Sequence, residues 1–271
     1  MMHGREMLFT ESARRYSALL VLALFATVMP FGPASHAAII TYAPPALPGT
    51  NLSYIAVSES SGTDPVPLYG APTVSGNNLV FSNMNFTASS VNGAPTDFTD
   101  GQVNITMLAN PGSFIQSIQW NENGDYNVTP FPNVSSINSA KVFSQALQIT
   151  VLAINGVPLA TPLVDNTSVT MALSPNGGTY TTGITPNTGS WQAAALANLA
   201  TLFGSNKITE VAISYDNQLA AASQVGGIAS ISKKGVTIDP NVITPEPASL
   251  SIAGVVALGL LSSRRRQARQ A

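Results

Sequence analysis

Between Ala38 and Thr244 the hydrophobic and polar positions alternate in short runs rather than at helical spacing. Val103-Asn104-Ile105-Thr106-Met107 is apolar at every second position, the period of a strand with one buried face. Residues 147–154 and 157–161 predict a hairpin around Asn155-Gly156, because Asn-Gly accepts the positive φ angles of a type I′ turn. Residues 168–173 and 179–185, separated by 175–178, predict a second hairpin. Alternation returns over 208–215, and 227–232 with 236–239 closes the region. One stretch reads differently. Ser190 as N-cap, an Ala- and Leu-rich run over 191–203 and Gly204 at C′ predict a helix, with Ala195, Leu196, Leu199 and Phe203 on one face. Short strands with one packed helix predict an all-β fold, an antiparallel β-sandwich of jelly-roll type over residues 38–244. A division near 133–140 is the alternative.

The two ends depart from this pattern. Arg14 and Arg15 precede an apolar run over 18–31, and Ser35-His36-Ala37 places small residues where a signal peptidase reads. Residues 1–37 therefore predict a signal peptide cleaved between Ala37 and Ala38. An uncleaved anchoring helix is the alternative, and Pro30, Gly32 and Pro33 argue for cleavage. At the other end, Thr244-Pro245-Glu246-Pro247 leads into an apolar run over 248–263 and then Arg264-Arg265-Arg266. Such a run spans about 24 Å as a helix, which predicts a single, somewhat short transmembrane helix. The arginine cluster should anchor on the cytoplasmic side and leave everything before Pro245 outside, the same topology that the signal peptide predicts.

The order Pro245-Glu246-Pro247, a short helix rich in small residues, and a terminal arginine cluster resembles the PEP-CTERM sorting domain of Gram-negative and related bacteria. The resemblance covers residues 245–271. It implies processing by an exosortase at or near the Pro-Glu-Pro, with those three residues serving recognition rather than catalysis. It also implies transient anchoring in the inner membrane, delivery to the cell surface or matrix, and an association with exopolysaccharide and biofilm. A plain anchor behind a proline-containing stalk is the alternative.

Charge distribution changes the picture further. All seven arginines lie near the ends, and from Ala38 to Thr244 the only cations are Lys141, Lys207, Lys233 and Lys234, against ten carboxylates. A body about six charges negative argues against a nucleic-acid partner. Cysteine is absent, and both histidines, His3 and His36, fall in the signal segment. The mature body thus lacks the residue types of Ser-His-Asp and Cys-His nucleophiles and of His- or Cys-built zinc sites, and no cofactor is expected.

Carboxylates remain. Asn121-Glu122-Asn123-Gly124-Asp125 reads as oxygen ligands around a glycine turn, making Glu122 and Asp125 the candidate ligands for calcium. Asp97 with Asp100, or Glu122 with Asp125, are the candidate pairs for a glycosidase. Trp120, Tyr126 and Phe131 flank the same segment and Trp191 lies farther on, so they are candidates for a sugar-stacking platform or for core. Lys233-Lys234 reads as a solvated strand end. The expectation is an exported structural or interaction protein rather than an enzyme. Its expected partners are signal peptidase, an exosortase-type enzyme, the inner membrane and exopolysaccharide. The alternatives are a carbohydrate-binding module, with or without calcium, and a carboxylate-only secreted hydrolase.

Overall fold

The computed structural model describes residues 38–144, 146–165 and 169–244. The expected signal peptide, including Ala37, and the tail with Pro245, Glu246, Pro247, Arg264, Arg265 and Arg266 lie outside the described residues. Among the latter, sixteen strands form two antiparallel sheets. One sheet holds β1 (Ala38–Ala43), β2 (Leu47–Pro48), β3 (Leu52–Ser61), β7 (Asp97–Ala109), β9 (Ser139–Ser144), β10 (Gln148–Ile154), β11 (Val157–Val164), β13 (Thr179–Thr181) and β15 (Ile208–Ala222). The other holds β4 (Thr73–Ser75), β5 (Asn78–Phe81), β6 (Phe86–Val91), β8 (Phe114–Asn127), β12 (Ala172–Ser174), β14 (Thr188–Asn198) and β16 (Ile228–Ile243).

The first sheet runs β1-β3-β7-β15-β10-β11, with β9 beside the second half of β15 and β13 outside β9. The second runs β12-β14-β8-β16-β5-β4, with β6 beside the first half of β16. The long strands β7 and β15 of one sheet and β8 and β16 of the other lie at the centre. On each, every second side chain is buried between the sheets: Val103, Ile105 and Met107 on β7, Ile213, Tyr215 and Leu219 on β15, Ile118, Trp120 and Tyr126 on β8. Burying such an apolar face is the main stabilising term of a sandwich without disulfides. β16 keeps one face inward past an irregularity between Lys233 and Gly235, which shifts the buried set from Ala229, Ile231 and Lys233 to Val236 and Ile238.

The strands expected over 103–107 and 208–215 are the middles of β7 and the first half of β15. The hairpin at Asn155-Gly156 joins β10 to β11, with φ of 54° and 74° at the two turn residues. The expectation of a second hairpin over 168–185 is corrected. β12 pairs with β14 in one sheet and β13 with β9 in the other. Three consecutive left-handed residues, Asn176, Gly177 and Gly178, turn the chain between the sheets where a type I′ hairpin needs two.

The helix expected over 191–203 is also corrected. Residues 188–198 are β14, paired along its whole length with β8, and only Leu199–Phe203 form a helix, α1. Trp191, Ala193, Ala195 and Ala197 are buried while Gln192, Ala194, Leu196 and Asn198 are exposed, a period of two. The eleven-residue ladder to β8 overrides the helix propensity of alanine. Asn198, not Ser190, caps α1 by accepting from the Thr201 N–H at 3.0 Å, and Gly204 ends it at φ 67°, as expected of that glycine.

Asn121–Asp125 is not a turn but the middle of β8. Gly124 there lies opposite Trp191 of β14 and Lys233 of β16. The Trp191 indole covers it and donates from Nε1 to the Ser232 carbonyl at 3.2 Å. A Cβ at position 124 would stand 2.5 Å from the indole and closer still to the Ser232 carbonyl oxygen. Gly124→Ala should therefore destabilise the fold by about 1–3 kcal/mol, the range for overpacking a core. Urea unfolding followed by tryptophan fluorescence reads this; an unchanged midpoint would contradict the packing of Trp191 on Gly124.

Candidate functional site

Three strands bring polar side chains into the centre of the core. Glu122 on β8, Lys233 on β16 and Asn217 on β15 all point inward, with exposures of 3%, 1% and 0%. The Lys233 Nζ donates to Glu122 Oε1 at 2.7 Å. Trp120 Nε1 donates to the same oxygen at 3.0 Å. Asn217 Nδ2 donates to Glu122 Oε2 at 2.9 Å and to the Tyr215 hydroxyl at 2.8 Å. One carboxylate thus holds an amine on one oxygen and a primary amide on the other. The amide's own carbonyl oxygen, Asn217 Oδ1, has no hydrogen-bond partner among the described residues.

Aromatic rings wall this cluster. Lys233 Nζ lies 4.9 Å from the ring centre of Phe86, 5.1 Å from Tyr69 and 5.6 Å from Tyr215. Trp120 and Tyr215 meet at 4.8 Å, and Tyr69 packs edge-on against Phe81 and Phe86. Burial pushes the Lys233 pKa below its usual value, with the Glu122 carboxylate opposing that shift in part. Bringing two charges out of water costs several kcal/mol each, and the remaining hydrogen bonds of Glu122 offset that cost.

A second buried carboxylate shapes the neighbouring loop. Glu59 accepts from the Leu68 N–H at 3.0 Å, the Tyr69 N–H at 2.6 Å and the Tyr42 hydroxyl at 2.9 Å. Those bonds fix the segment after β3 so that Tyr69 enters the core beside Lys233. The Tyr69 pKa is raised, first by burial and then by the Glu122 carboxylate.

The expected calcium ligands are not brought together. Glu122 faces the core and Asp125, three residues along the same strand, faces solvent. Strand alternation puts them on opposite faces of the sheet, so they cannot share an ion, and Glu122 already holds an ammonium. Asp97 and Asp100 likewise stand on opposite faces of β7. Trp120, Tyr126 and Trp191 belong to the core, with Tyr126 stacked on Tyr180 at 3.8 Å, and Phe131 is half-buried. The large exposed apolar side chains among the described residues are aliphatic, such as Ile39, Leu196 and Val225. Lys233 is a core residue and only Lys234 is solvated, which corrects the reading of a solvated strand end. Ala38, the expected mature start, opens β1 opposite Ser61.

Sequence reasoning missed Lys233 and Asn217 as members of a site. Parity could have found them: Lys233 shares its phase with Ala229 and Ile231, Asn217 with Ile213, Tyr215 and Leu219, and Glu122 with Trp120 and Tyr126.

A different carboxylate pair lies outside the core. Asp100 on β7 and Asp216 on β15 are diagonal neighbours in adjacent strands, and their side chains hydrogen-bond each other. Burial first, then the Asp216 carboxylate, raises the Asp100 pKa from the usual 3.8 to about 6. Thr63 stands beside them, its hydroxyl accepting from the Asp100 N–H at 2.7 Å and donating to Asp64 at 2.7 Å.

No protein-family model and no curated protein sequence matches the chain. Among solved structures, the enzymatically active domain of bacteriophage CBA120 tailspike protein 4 aligns with 66% of the chain at 12% identity and a TM-score of 0.14. The match spans 17% of that tailspike domain. TmCBM61 in complex with β-1,4-galactotriose aligns with 60% of the chain and 88% of its own length, at 6% identity and a TM-score of 0.17. The xylan-binding module CBM15 aligns with 75% of the chain and 96% of its own length, at 11% identity and a TM-score of 0.18. Likenesses this slight say nothing of what the chain binds.

Asp100 gives the fold a pH dependence of known sign. Its folded-state pKa lies above the unfolded value, so its contribution to stability is present below about pH 4 and lost as pH rises through about pH 6. Asp100→Asn should remove that loss, making the variant's thermal midpoint gain on the wild type's across this window. Parallel midpoints for the two proteins would contradict the shared proton between Asp100 and Asp216.

Proposed function

We propose that the chain is an exported structural or interaction protein of the cell surface or extracellular matrix, without catalytic activity of its own. Its signal helix is removed at Ala37–Ala38. Its tail is held transiently in the inner membrane by the apolar run and Arg264, Arg265 and Arg266, and is processed by an exosortase-type enzyme at Pro245, Glu246 and Pro247. Exopolysaccharide is the matrix it joins.

The observation that carries this reading is the tail itself, a Pro-Glu-Pro, an apolar run and an arginine cluster in that order, with Arg269 behind the cluster and the other three arginines in the front segment. Two features of the body support it. The histidine, cysteine and arginine side chains of common active sites are missing between Ala38 and Thr244, and the candidate carboxylate pairs diverge across their strands. In addition β16, an inner strand of its sheet, stays paired with β8 to its last residue, Ile243, so the chain enters the tail directly from a strand of the sandwich. A body with these properties suits a protein held by one end.

Peptide mapping of both termini tests the proposal on protein recovered from the surface or matrix of producing cells. The expected chain starts at Ala38 and stops at or close to the Pro-Glu-Pro. Surface protein that retains Arg264, Arg265 and Arg266 would contradict the processing, and protein found only in the cytosol would contradict the export.

A further inference from the structure

The mechanism of delivery makes no use of the buried amine, carboxylate and amide. We propose that Lys233 and Asn217 are the two halves of a self-forming intramolecular amide cross-link between the sheets, with Glu122 as the proton carrier. This inference is independent of the export reading and rests on the core geometry alone.

Four observations converge on it. Glu122 binds Lys233 Nζ through one oxygen and Asn217 Nδ2 through the other, so both reactants sit on one carboxylate. All three side chains are buried, and water, the competing nucleophile, is excluded. The rings of Tyr69, Phe86 and Tyr215 around Nζ form a low-dielectric wall that favours neutral forms over ions. Finally, the Asn217 carbonyl, the group to be attacked, is not engaged by any donor among the described residues. A buried amine, a carboxyl group and a primary amide held together in this way form a reactive constellation, because fixed proximity replaces the encounter step of the same reaction in solution.

The chemistry balances without a co-reactant. Lys233 passes a proton along its 2.7 Å hydrogen bond to Glu122, leaving a neutral amine and a carboxylic acid. The lone pair of Nζ attacks Cγ of Asn217 to form the new C–N bond and a tetrahedral centre. Glu122 gives its proton to Nδ2 and takes one from Nζ. The Cγ–Nδ2 bond then breaks and ammonia leaves. One amine and one primary amide become one secondary amide and one ammonia, with no change of oxidation state. Tyr215, hydrogen-bonded to the Asn217 amide, holds that group in place and is a positioning residue.

The link would join β15 of one sheet to β16 of the other at the centre of the core. β16 is also the strand that leads into the tail, so the bond lies on the strand through which a pull on that end would enter the fold.

Tryptic mapping of the full-length protein recovered from expressing cells tests this directly. Trypsin does not cleave after an acylated lysine, so the expected product is one peptide, Ile208–Lys234, lighter than its sequence mass by one ammonia. Its fragment spectrum should lack backbone breaks between Asn217 and Lys233. A peptide ending at Lys233 with its full sequence mass would overturn the proposal. So would an ammonia loss confined to Asn217 and its neighbour, or a loss of water that joins Lys233 to Glu122. In Glu122→Gln the peptide should return to its sequence mass, and a link that persists there would remove Glu122 as proton carrier and overturn the triad. The wild-type map decides even if that variant fails to fold.

Discussion

With Lys233 and Asn217 not yet joined, as in the structure, a lysine ammonium inside a sandwich core is the constraint around which everything else is arranged. Among the four cations between Ala38 and Thr244, Lys233 is fully buried, with its Nζ bonded to the equally buried Glu122. An ion in that position is tolerated only if its partner is correctly placed and the partner's other lone pairs are filled. Trp120 and Asn217 fill them, and rings of Tyr69, Phe86 and Tyr215 take up the remaining side of Nζ. These residues come from four places in the chain: β8, β15, β6 and the segment after β3. The pair therefore fixes the register of β8, β15 and β16 relative to one another, because a one-residue slip would turn a charge toward apolar side chains and its partner toward water.

The aromatic frame follows from the same requirement. Tyr69 reaches the cluster because Glu59 ties down the backbone of Leu68 and Tyr69, so one buried carboxylate positions a ring for another's counter-ion. Gly124, one alternation along β8 from Glu122, leaves room for the Trp191 indole on the neighbouring strand. That indole in turn donates to the carbonyl of Ser232, the residue before Lys233. Polar and apolar packing are here one arrangement, in which the hydrophobic residues supply most of the stability and the buried ions select a single pairing of strands.

Much of the fold was legible in the sequence because it rests on alternation. Val103 to Met107, Ile208 to Tyr215 and the Asn-Gly turn all behave as their patterns require. Trp191–Phe203 misleads because alanine suits a buried strand face as well as a helix, and only the ladder to β8 separates the two. The segment around Gly124 misleads for a related reason. Asn, Gly and Asp are turn formers, yet this glycine is present to admit an indole. Parity carried information about the core cluster that residue type obscured: charged residues at inward positions read as surface until the strands that bring them together are known. The proposed sorting tail rests on another kind of signal, the order of a Pro-Glu-Pro, an apolar run and an arginine cluster, in residues outside those the structure describes.

A double-mutant cycle on stability reads out whether Lys233 and Glu122 act as one buried pair. Lys233→Met and Glu122→Gln, singly and together, are placed in an Asn217→Ala background that cannot form the link and are compared with that background by urea unfolding. Each single change leaves the other group buried without its partner and should destabilise by about 3–5 kcal/mol, with the double variant falling well short of the sum, by at least about 1.5 kcal/mol. Additivity to within about 0.5 kcal/mol would show two independent surface-like residues and contradict the account.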